Sequence, residues 1–282
     1  MIAALTAFSA NLAASAWAAG ISLVALAVVI WPLEVLFPAR RGQRLFRPGW
    51  LTDLAFFAGQ YLVWIGLAAL AIQAFDARVE PLIPPGLRAG FAAWPLPLQA
   101  VVAVMLGDLS VYWFHRACHA VPLLWRFHAV HHSAEHLDWL AAHREHPVDG
   151  LLTQLAVNLP AIVLGFSLNQ IAWLIALRGM WAIFVHSNVR LPLGPLRVLL
   201  GAPELHHWHH LRRVRAQNFA NLAPWTDLLF GTYHHPRGPE TWPLGSDEPL
   251  PPTYVGMLAR PLWPGRRRAT PAPAPVPITE TA

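Results

Sequence analysis

The chain has 282 residues, of which 55% are hydrophobic and only 12% are charged, and its mean hydropathy is +0.40. Soluble domains contain about 25% charged residues, so this composition argues against two soluble domains and favours one membrane domain of several spans. The net charge of +5 comes entirely from arginine, since the sequence contains no lysine. A single cysteine, Cys118, excludes an intramolecular disulfide framework.

The apolar segments, taken in chain order, predict an all-α helical bundle in a membrane, because a spanning helix needs about 20 mainly apolar residues. Three spans are expected at residues 15–37, 51–75 and 94–114. The apolar residues 148–186 are interrupted around Gly165–Asn169, which predicts a helical hairpin that enters the membrane and returns. The more polar remainder should form helices and loops that cap these spans at the membrane surface.

The arginines predict the orientation of the spans. The loop 38–50 carries four arginines and the residues before the first span carry none, so the positive-inside rule places the N-terminus outside and this loop in the cytoplasm. The third span and the hairpin then deliver His115 and His186 to the cytoplasmic side of the plasma membrane, or of the inner membrane of a bacterium. Because membrane topology already explains the arginines, we expect no nucleic-acid partner.

Histidines recur at helical spacing in three groups after the third span. Residues at positions i, i+3 and i+4 share one face of a helix, and neutral imidazole is the commonest metal ligand among side chains. The groups are His115 with His119, then His128 with His131 and His132, and finally His206 with His209 and His210. The pattern predicts a metal site; interfacial packing of the first pair and a histidine-rich metal buffer are the alternatives, although a buffer is typically a low-complexity run.

The number of imidazoles indicates how many ions they hold. One zinc ion takes four ligands, and a catalytic zinc takes three and a water molecule, so eight or nine imidazoles suit two ions. The predicted fold is therefore a polytopic bundle capped by a cytoplasmic, His-rich helical di-metal domain. Nitrogen ligands alone admit zinc, copper, iron or nickel, so the spacing does not name the metal.

Asp108 and Tyr112 are candidate supporting residues of the site, because they precede His115 by seven and three residues on the same helical face. An ionisable residue inside a span is costly and indicates function by default. A carboxylate commonly accepts the second imidazole N–H of a metal-bound histidine, which is the role predicted for Asp108. The alternative for Asp108 is a salt bridge to an arginine of a neighbouring helix.

Several motifs occur in a fixed order between about residues 105 and 235. They are Asp108-x3-Tyr112-Trp113-x-His115-Arg116-x2-His119, Leu124-Trp125-Arg126-Phe127-His128-x2-His131-His132-Ser133, Arg144-Glu145-His146-Pro147, Val185-His186-Ser187-Asn188, His206-x2-His209-His210 and Trp225-x-Asp227-Leu228-Leu229-Phe230-Gly231-Thr232. This series resembles the fatty acid hydroxylase/sterol desaturase superfamily of membrane di-iron oxygenases.

The resemblance implies a centre of two iron ions, O2 as co-substrate, and hydroxylation or desaturation of a C–H bond in a membrane lipid. By position, the eight histidines above match the three histidine boxes of the superfamily, and His186 becomes the ninth expected ligand. The chain departs from the superfamily at Asn218-Phe219-Ala220, where Asn-Tyr-Gly is frequent, and at Thr226, which separates Trp225 from Asp227. His207 is an additional histidine within the third box.

The electrons that such a reaction requires are expected to come from a separate ferredoxin or cytochrome-type protein, because the sequence shows no Rossmann glycine fingerprint and no cytochrome-like domain. Arg212, Arg213 and Arg215 follow the third histidine group. They are candidates for docking an acidic carrier, with contact to lipid headgroups as the alternative.

The expected domains are N-terminal transmembrane helices at 1–100, the di-iron catalytic domain at 101–237, and a Pro-rich C-terminal segment with a disordered tail at 238–282. Two other functions remain open, a metal transporter and a non-catalytic membrane metal-binding protein. Histidines gathered at one face argue against the transporter, and three complete groups argue against lost activity. The sequence leaves the roles of His136, His143 and His146 open, and likewise the identity of the lipid.

Overall fold

The computed structural model describes residues 2–166, 172–212, 217–235, 243–248 and 250–262. Within these ranges the chain is helical, and the only β-pairing is at two isolated bridges, Pro38 with Val189 and Leu211 with Leu244. The helices are α1 (Ile2–Leu36), α2 (Trp50–Gly59), α3 (Ile65–Val79), α4 (Pro85–Ala92), α5 (Leu96–Ala120), α6 (Pro122–His131), α7 (Pro147–Leu164), α8 (Ala172–His186), α9 (Arg197–Leu200), α10 (Pro203–His209), α11 (Trp225–Leu229) and α12 (Tyr254–Ala259). The all-α bundle predicted from the sequence is confirmed.

Four segments in the described part of the chain are long and apolar enough to cross a membrane. They are Ala13–Leu36, Trp50–Leu82, Leu96–Ala120 and Pro147–Leu164. The second comprises α2 and α3, joined by a π-helical turn at Gln60–Trp64. Helix α8, of 15 residues, follows α7 where the second half of the predicted hairpin is expected, and the hairpin itself stays a prediction. Their orientation in the membrane stays a prediction, and residues 167–171 of the interruption between α7 and α8 lie outside the described residues.

The outer faces of these spans are apolar and exposed. Val28 on α1 and Leu70 on α3 are more than 60% exposed, although each belongs to a long apolar helix. Side chains of this kind are stable on a protein surface when hydrocarbon surrounds them, and a helix satisfies all of its backbone hydrogen bonds internally, as a bilayer requires. The exposed faces therefore fit an integral membrane protein.

The end of α5 determines how the first two histidine groups meet. Val121 is extended (φ −99°, ψ 116°), because a residue before proline is disfavoured in the helical region. Pro122 then begins α6, where its missing N–H costs no intrahelical bond. The chain reverses at this point, so the face of α5 that carries His115 and His119 meets the face of α6 that carries His128.

A buried charge cluster joins the loop between α1 and α2 to the segment after α6. Arg47 donates to both carboxylate oxygens of Asp138, at 2.6 and 2.7 Å, and also contacts Asp53 at 2.7 Å. Asp53, which is fully buried, accepts a further bond from Arg144. Bidentate arginine–carboxylate pairs are among the stronger hydrogen-bonded contacts, so this cluster fixes residues 138–144 beside the start of α2.

Part of the C-terminal segment packs against the bundle. The phenolic oxygen of Tyr254 in α12 accepts a hydrogen bond from the Trp64 indole at 2.9 Å, and its ring packs edge-on against Phe56. Thr253 caps the helix through a bond from Gly256 N–H. This segment was predicted to be irregular because of its prolines, so α12 is an element that the sequence reasoning missed. The domain boundaries stay a prediction, and the tail from 263 lies outside the described residues.

We expect Asp53→Asn to lower the free energy of unfolding in detergent by about 3–5 kcal/mol, because it leaves two buried guanidinium groups without their shared carboxylate. Glu80→Gln is the control, since Glu80 is exposed in its pair with Arg88 and such pairs contribute at most about 1 kcal/mol. Equal, small losses for the two variants in denaturant titrations would show that the cluster does not stabilise the fold.

Candidate metal centre

All nine predicted ligand histidines converge at one end of the bundle. Helix α5 contributes two of them, α6 and the residue after it three, the last residue of α8 one, and α10 with the following residue three. They form two groups, in each of which one ring nitrogen per residue lies within 4.8 Å of all the others. The groups are His115, His119, His128, His132 and His209, and then His131, His186, His206 and His210.

Neighbouring histidines in the sequence divide between the two groups. His131 belongs to one group and His132 to the other, and His209 and His210 divide in the same way. Successive residues on a helix point in directions about 100° apart, so the paired histidines at the end of the second and third boxes face different groups. The larger group draws on all three boxes, whereas the smaller group draws on the second and third boxes and on His186, so the boxes do not correspond to single sites.

The protons of several rings are located by their hydrogen bonds. A backbone carbonyl only accepts, so a ring nitrogen bonded to it carries the proton. In the smaller group, Nδ1 of His131 donates to the Arg144 carbonyl at 3.2 Å and Nδ1 of His186 donates to the Ala182 carbonyl at 2.6 Å. In the neutral rings that burial favours, both Nε2 atoms then lack a proton, yet they lie 2.9 Å apart.

The larger group shows the same arrangement. Nδ1 of His115 donates to the Phe219 carbonyl at 2.8 Å, and Nδ1 of His128 contacts an Asp149 oxygen at 2.9 Å. Their Nε2 atoms are 3.1 Å apart. Two unprotonated nitrogens at this distance repel each other unless a cation lies between them. The donor set thus fits a metal ion in each group, which is an expectation from the geometry of the rings.

The histidines outside the spans are held neutral. Burial, with the neighbouring imidazoles as a second cause, keeps the pKa of each of these rings well below its usual range. This applies to His128, His131, His132, His206, His209 and His210. A neutral imidazole presents the lone pair that binds a metal, and sets of nitrogen donors suit iron, zinc, copper and nickel.

Asp108 forms a salt bridge to an arginine of a neighbouring helix, which is the alternative to the predicted contact with a histidine. Its carboxylate accepts a hydrogen bond from Arg178 of α8 at 2.7 Å, and none of its described contacts is to an imidazole. The carboxylate that orients a ligand histidine is Asp149, in the first turn of α7. Asp149 was not predicted from the sequence. An acidic residue within an apolar segment, the signal that identified Asp108, also applies to Asp149.

Tyr112 contacts the site through a chain of hydrogen bonds. Its hydroxyl lies 2.8 Å from the Thr232 hydroxyl, which donates to Asp227 at 2.7 Å. Asp227 in turn accepts from the backbone N–H groups of Phe219 and Ala220. This network fixes the loop whose Phe219 carbonyl receives the His115 proton, so Tyr112 positions the loop and does not contact the histidines itself.

The remaining histidines of the region have structural contacts. His207 bonds through Nε2 to the Ser187 carbonyl, and His146 accepts from Val148 N–H at the start of α7. The ring of His143 packs against Phe57 and Tyr61. His207 thus has a backbone partner, His143 makes packing contacts, and His146 caps α7.

The basic residues after the third box are only partly described. Arg212 pairs with the exposed carboxylate of Glu135 at 2.8 Å, whereas Arg213 and Arg215 lie outside the described residues. Docking of a carrier at these arginines stays a prediction.

A cavity of about 250 Å³ adjoins the centre and extends between α5, α7 and α8. Both groups contribute to its wall, through His115, His128, His131, His186 and His206. Glu145 also lines it, and burial, with the charge of Asp149 as a second cause, raises the pKa of this carboxyl to about 8. The cavity therefore connects the space between the spans with the histidines of both groups.

Comparisons with known proteins agree with this site. The family profile "Fatty acid hydroxylase" matches residues 100–232, which include every ligand histidine. Ornithine lipid hydroxylase OlsE of Rhizobium tropici is 32% identical over 60% of this chain and 51% of its own length. Alkylglycerol monooxygenase of Danio rerio is 30% identical over 45% of this chain and 28% of its own, and methylsterol monooxygenase 1-1 of Arabidopsis thaliana is 33% identical over 48% and 46%.

The chain spans about half the length, or less, of these curated relatives. No solved structure matches it. The relatives share a lipid substrate in their names and differ in which lipid it is. The profile match and these relatives show that residues 100–232 are a segment of the fatty acid hydroxylase/sterol desaturase superfamily.

Proposed function

We propose that this protein is an integral-membrane oxygenase with two iron ions in the nine-histidine centre. It uses O2, and electrons from a separate ferredoxin or cytochrome-type protein, to hydroxylate or desaturate a C–H bond of a membrane lipid. The observation that carries the proposal is the cavity between α5, α7 and α8, because histidines of both groups form its wall. A lipid chain in this cavity lies beside both proposed iron sites.

The bound irons would supply the activation of O2 and the oxidation of the C–H bond, chemistry that side chains alone do not perform. The residues of the chain have two tasks. The carbonyls of Phe219, Arg144 and Ala182 hold the imidazole protons on the far side of the rings. The carboxylate of Asp149 does the same for His128. Burial of the centre keeps water away from the reaction.

The chemical class of the substrate follows from the membrane and from the relatives. Ornithine lipid, alkylglycerol and methylsterol appear in the names of the relatives, and all three are lipids. The spans expose apolar faces, and the cavity lies between spans, so a lipid can reach the histidines from the bilayer. A metal transporter would need ligands along a path through the spans, whereas these histidines lie at one end of the helices.

The activity can be tested with isotopically heavy O2. We expect membranes that contain the protein and a reducing system to form an oxygenated lipid carrying the heavy isotope, or a lipid with one added double bond. Membranes with His131→Ala should form neither, because that histidine belongs to the smaller group. Lipid extracts that mass spectrometry finds identical for the two proteins, and for every lipid class supplied, would contradict the proposal.

Metal content gives a second test, independent of the substrate. We expect about two irons per chain in protein purified anaerobically, and about one or fewer after His186→Ala, which removes a nitrogen of the smaller group. His234→Ala is the matched control, because His234 packs on Trp208 outside both groups. Less than one iron per chain in the unaltered protein would overturn the two-iron proposal.

The sequence predicts that Asp108 orients a histidine, whereas in the structure Asp149 contacts one. Substitution of each residue tests which carboxylate has this role. Asp149→Asn should weaken iron binding by about 10–100-fold, the usual effect of losing the partner of a ligand imidazole. Asp108→Asn should leave iron affinity within a few-fold of the unaltered protein, because Asp108 bonds Arg178. Chelator competition measures both affinities, and the reverse order would return the orienting role to Asp108.

A further inference from the structure

The cavity beside the histidines also has polar lining from the spans. Its lining residues include Gln60, Gln154, Asn158 and Arg178. Charged and amide side chains are costly at membrane depth and mark functional positions by default. The proposed iron centre does not account for them, because none of them belongs to either histidine group.

Arg178 has a hydrogen-bond donor to spare. Its side chain is buried, Nη2 donates to Asp108 at 2.7 Å, and Nη1 donates to the Val104 carbonyl at 2.9 Å. Nε is also buried and has no hydrogen-bond partner among the described residues. A buried donor without a partner is unfavourable. The same side chain lines the cavity, so the donor without a partner belongs to a group that an entering molecule contacts.

The positive charge of Arg178 is balanced by a neighbouring carboxylate. Asp108 neutralises Arg178, and it is held in place by hydrogen bonds from the Ala223 backbone and the Trp225 side chain. Arg178 is also the only arginine among the described residues that line the cavity. A carboxylate or phosphate would therefore find no unpaired cation there. An uncharged oxygen acceptor suits a donor of this kind best.

The position of Arg178 sets a distance. It precedes His186 by eight residues on the same helix, which corresponds to about 12 Å along the helix axis. If Arg178 binds an oxygen of the lipid, the part of the lipid chain beyond that oxygen would extend toward the histidines that line the cavity. The hydrogen bond would thus select which carbon lies beside the irons.

We propose that Arg178 binds an uncharged oxygen of the lipid substrate, such as a hydroxyl, ether or carbonyl oxygen, through its guanidinium group. The substrate class is accordingly a lipid in which such a group is separated along the chain from the carbon that reacts. This inference rests on the proposed function for the identity of the reaction, whereas the recognition itself is a binding property that can be measured without turnover.

The test compares 1-hexadecanol with hexadecane, which differ only in the hydroxyl. We expect native mass spectrometry of the iron-loaded, full-length protein to show about tenfold tighter binding of the alcohol, the effect of one hydrogen bond to a charged donor. The double variant Asp108→Asn/Arg178→Met should bind the two probes equally. Both partners are changed together because Arg178→Met alone would leave a buried, unpaired carboxylate.

The single variant Asp108→Asn tests the charge argument. It retains the donor and removes the neutralising carboxylate, so it should keep the preference for 1-hexadecanol over hexadecane. It should also bind palmitate at least about tenfold more tightly than the unaltered protein does, because the Arg178 cation is then unpaired. Unchanged palmitate binding in a folded Asp108→Asn protein would contradict the neutral-pair argument.

A blocking variant locates the probes in the cavity. Gly179 lines the cavity, and an added Cβ would meet nothing within 4 Å, so Gly179→Leu should fill the space and weaken binding of both probes about tenfold or more. Gly66→Leu is the control, because Gly66 also faces open space but does not line the cavity. Equal binding by both variants would place the probes elsewhere and overturn the assignment.

The outcomes separate this inference from the proposed function. Equal affinity of the unaltered protein for alcohol and alkane overturns recognition at Arg178, even if the protein oxygenates a lipid. Selective binding of the alcohol that disappears in the double variant supports recognition, even in a preparation that holds no iron and forms no oxidised lipid. In the second case only the proposed reaction fails.

Discussion

Five imidazoles of the centre hold their protons on the outer nitrogen and direct unprotonated nitrogens toward neighbouring rings, and this arrangement constrains the surrounding structure. Each of these five rings has an acceptor behind it. Phe219, Arg144, Ala182 and Gln217 supply backbone carbonyls, and Asp149 supplies a carboxylate. Loops with little regular structure are therefore as important to the site as the helices that carry the histidines.

Two polar networks outside the centre hold these acceptors in place. The cluster of Arg47, Asp53 and Asp138 fixes the side chain of Arg144, whose carbonyl faces His131. On the opposite side, Asp227 binds the backbone of the loop that presents the Phe219 carbonyl. Buried charge pairs are often no more stabilising than apolar packing. Here the charge pairs orient backbone carbonyl groups toward the histidine rings.

Helical periodicity was sufficient to predict that eight histidines converge, because boxes spaced by three and four residues do meet where α5, α6 and α10 come together. His186 was expected only from the family resemblance. The division of His131 and His132 between groups was not predictable, since it depends on how those helices cross. Asp108 shows the limit of reasoning from one helix: position on the same face suggested an imidazole partner, whereas Arg178, seventy residues later, is nearer. Helix α12 was missed because its stability comes from packing against Phe56 and Trp64.

The paired histidines have a mechanical consequence. His131 and His132 are joined by one peptide unit, as are His209 and His210, and consecutive Cα atoms are about 3.8 Å apart across such a unit. The spacing between the two halves of the centre is thus held by covalent bonds at two places. Helices α7 and α8 contribute only Asp149 and His186 to it. An outward movement of α7 or α8 would therefore leave both backbone linkages intact.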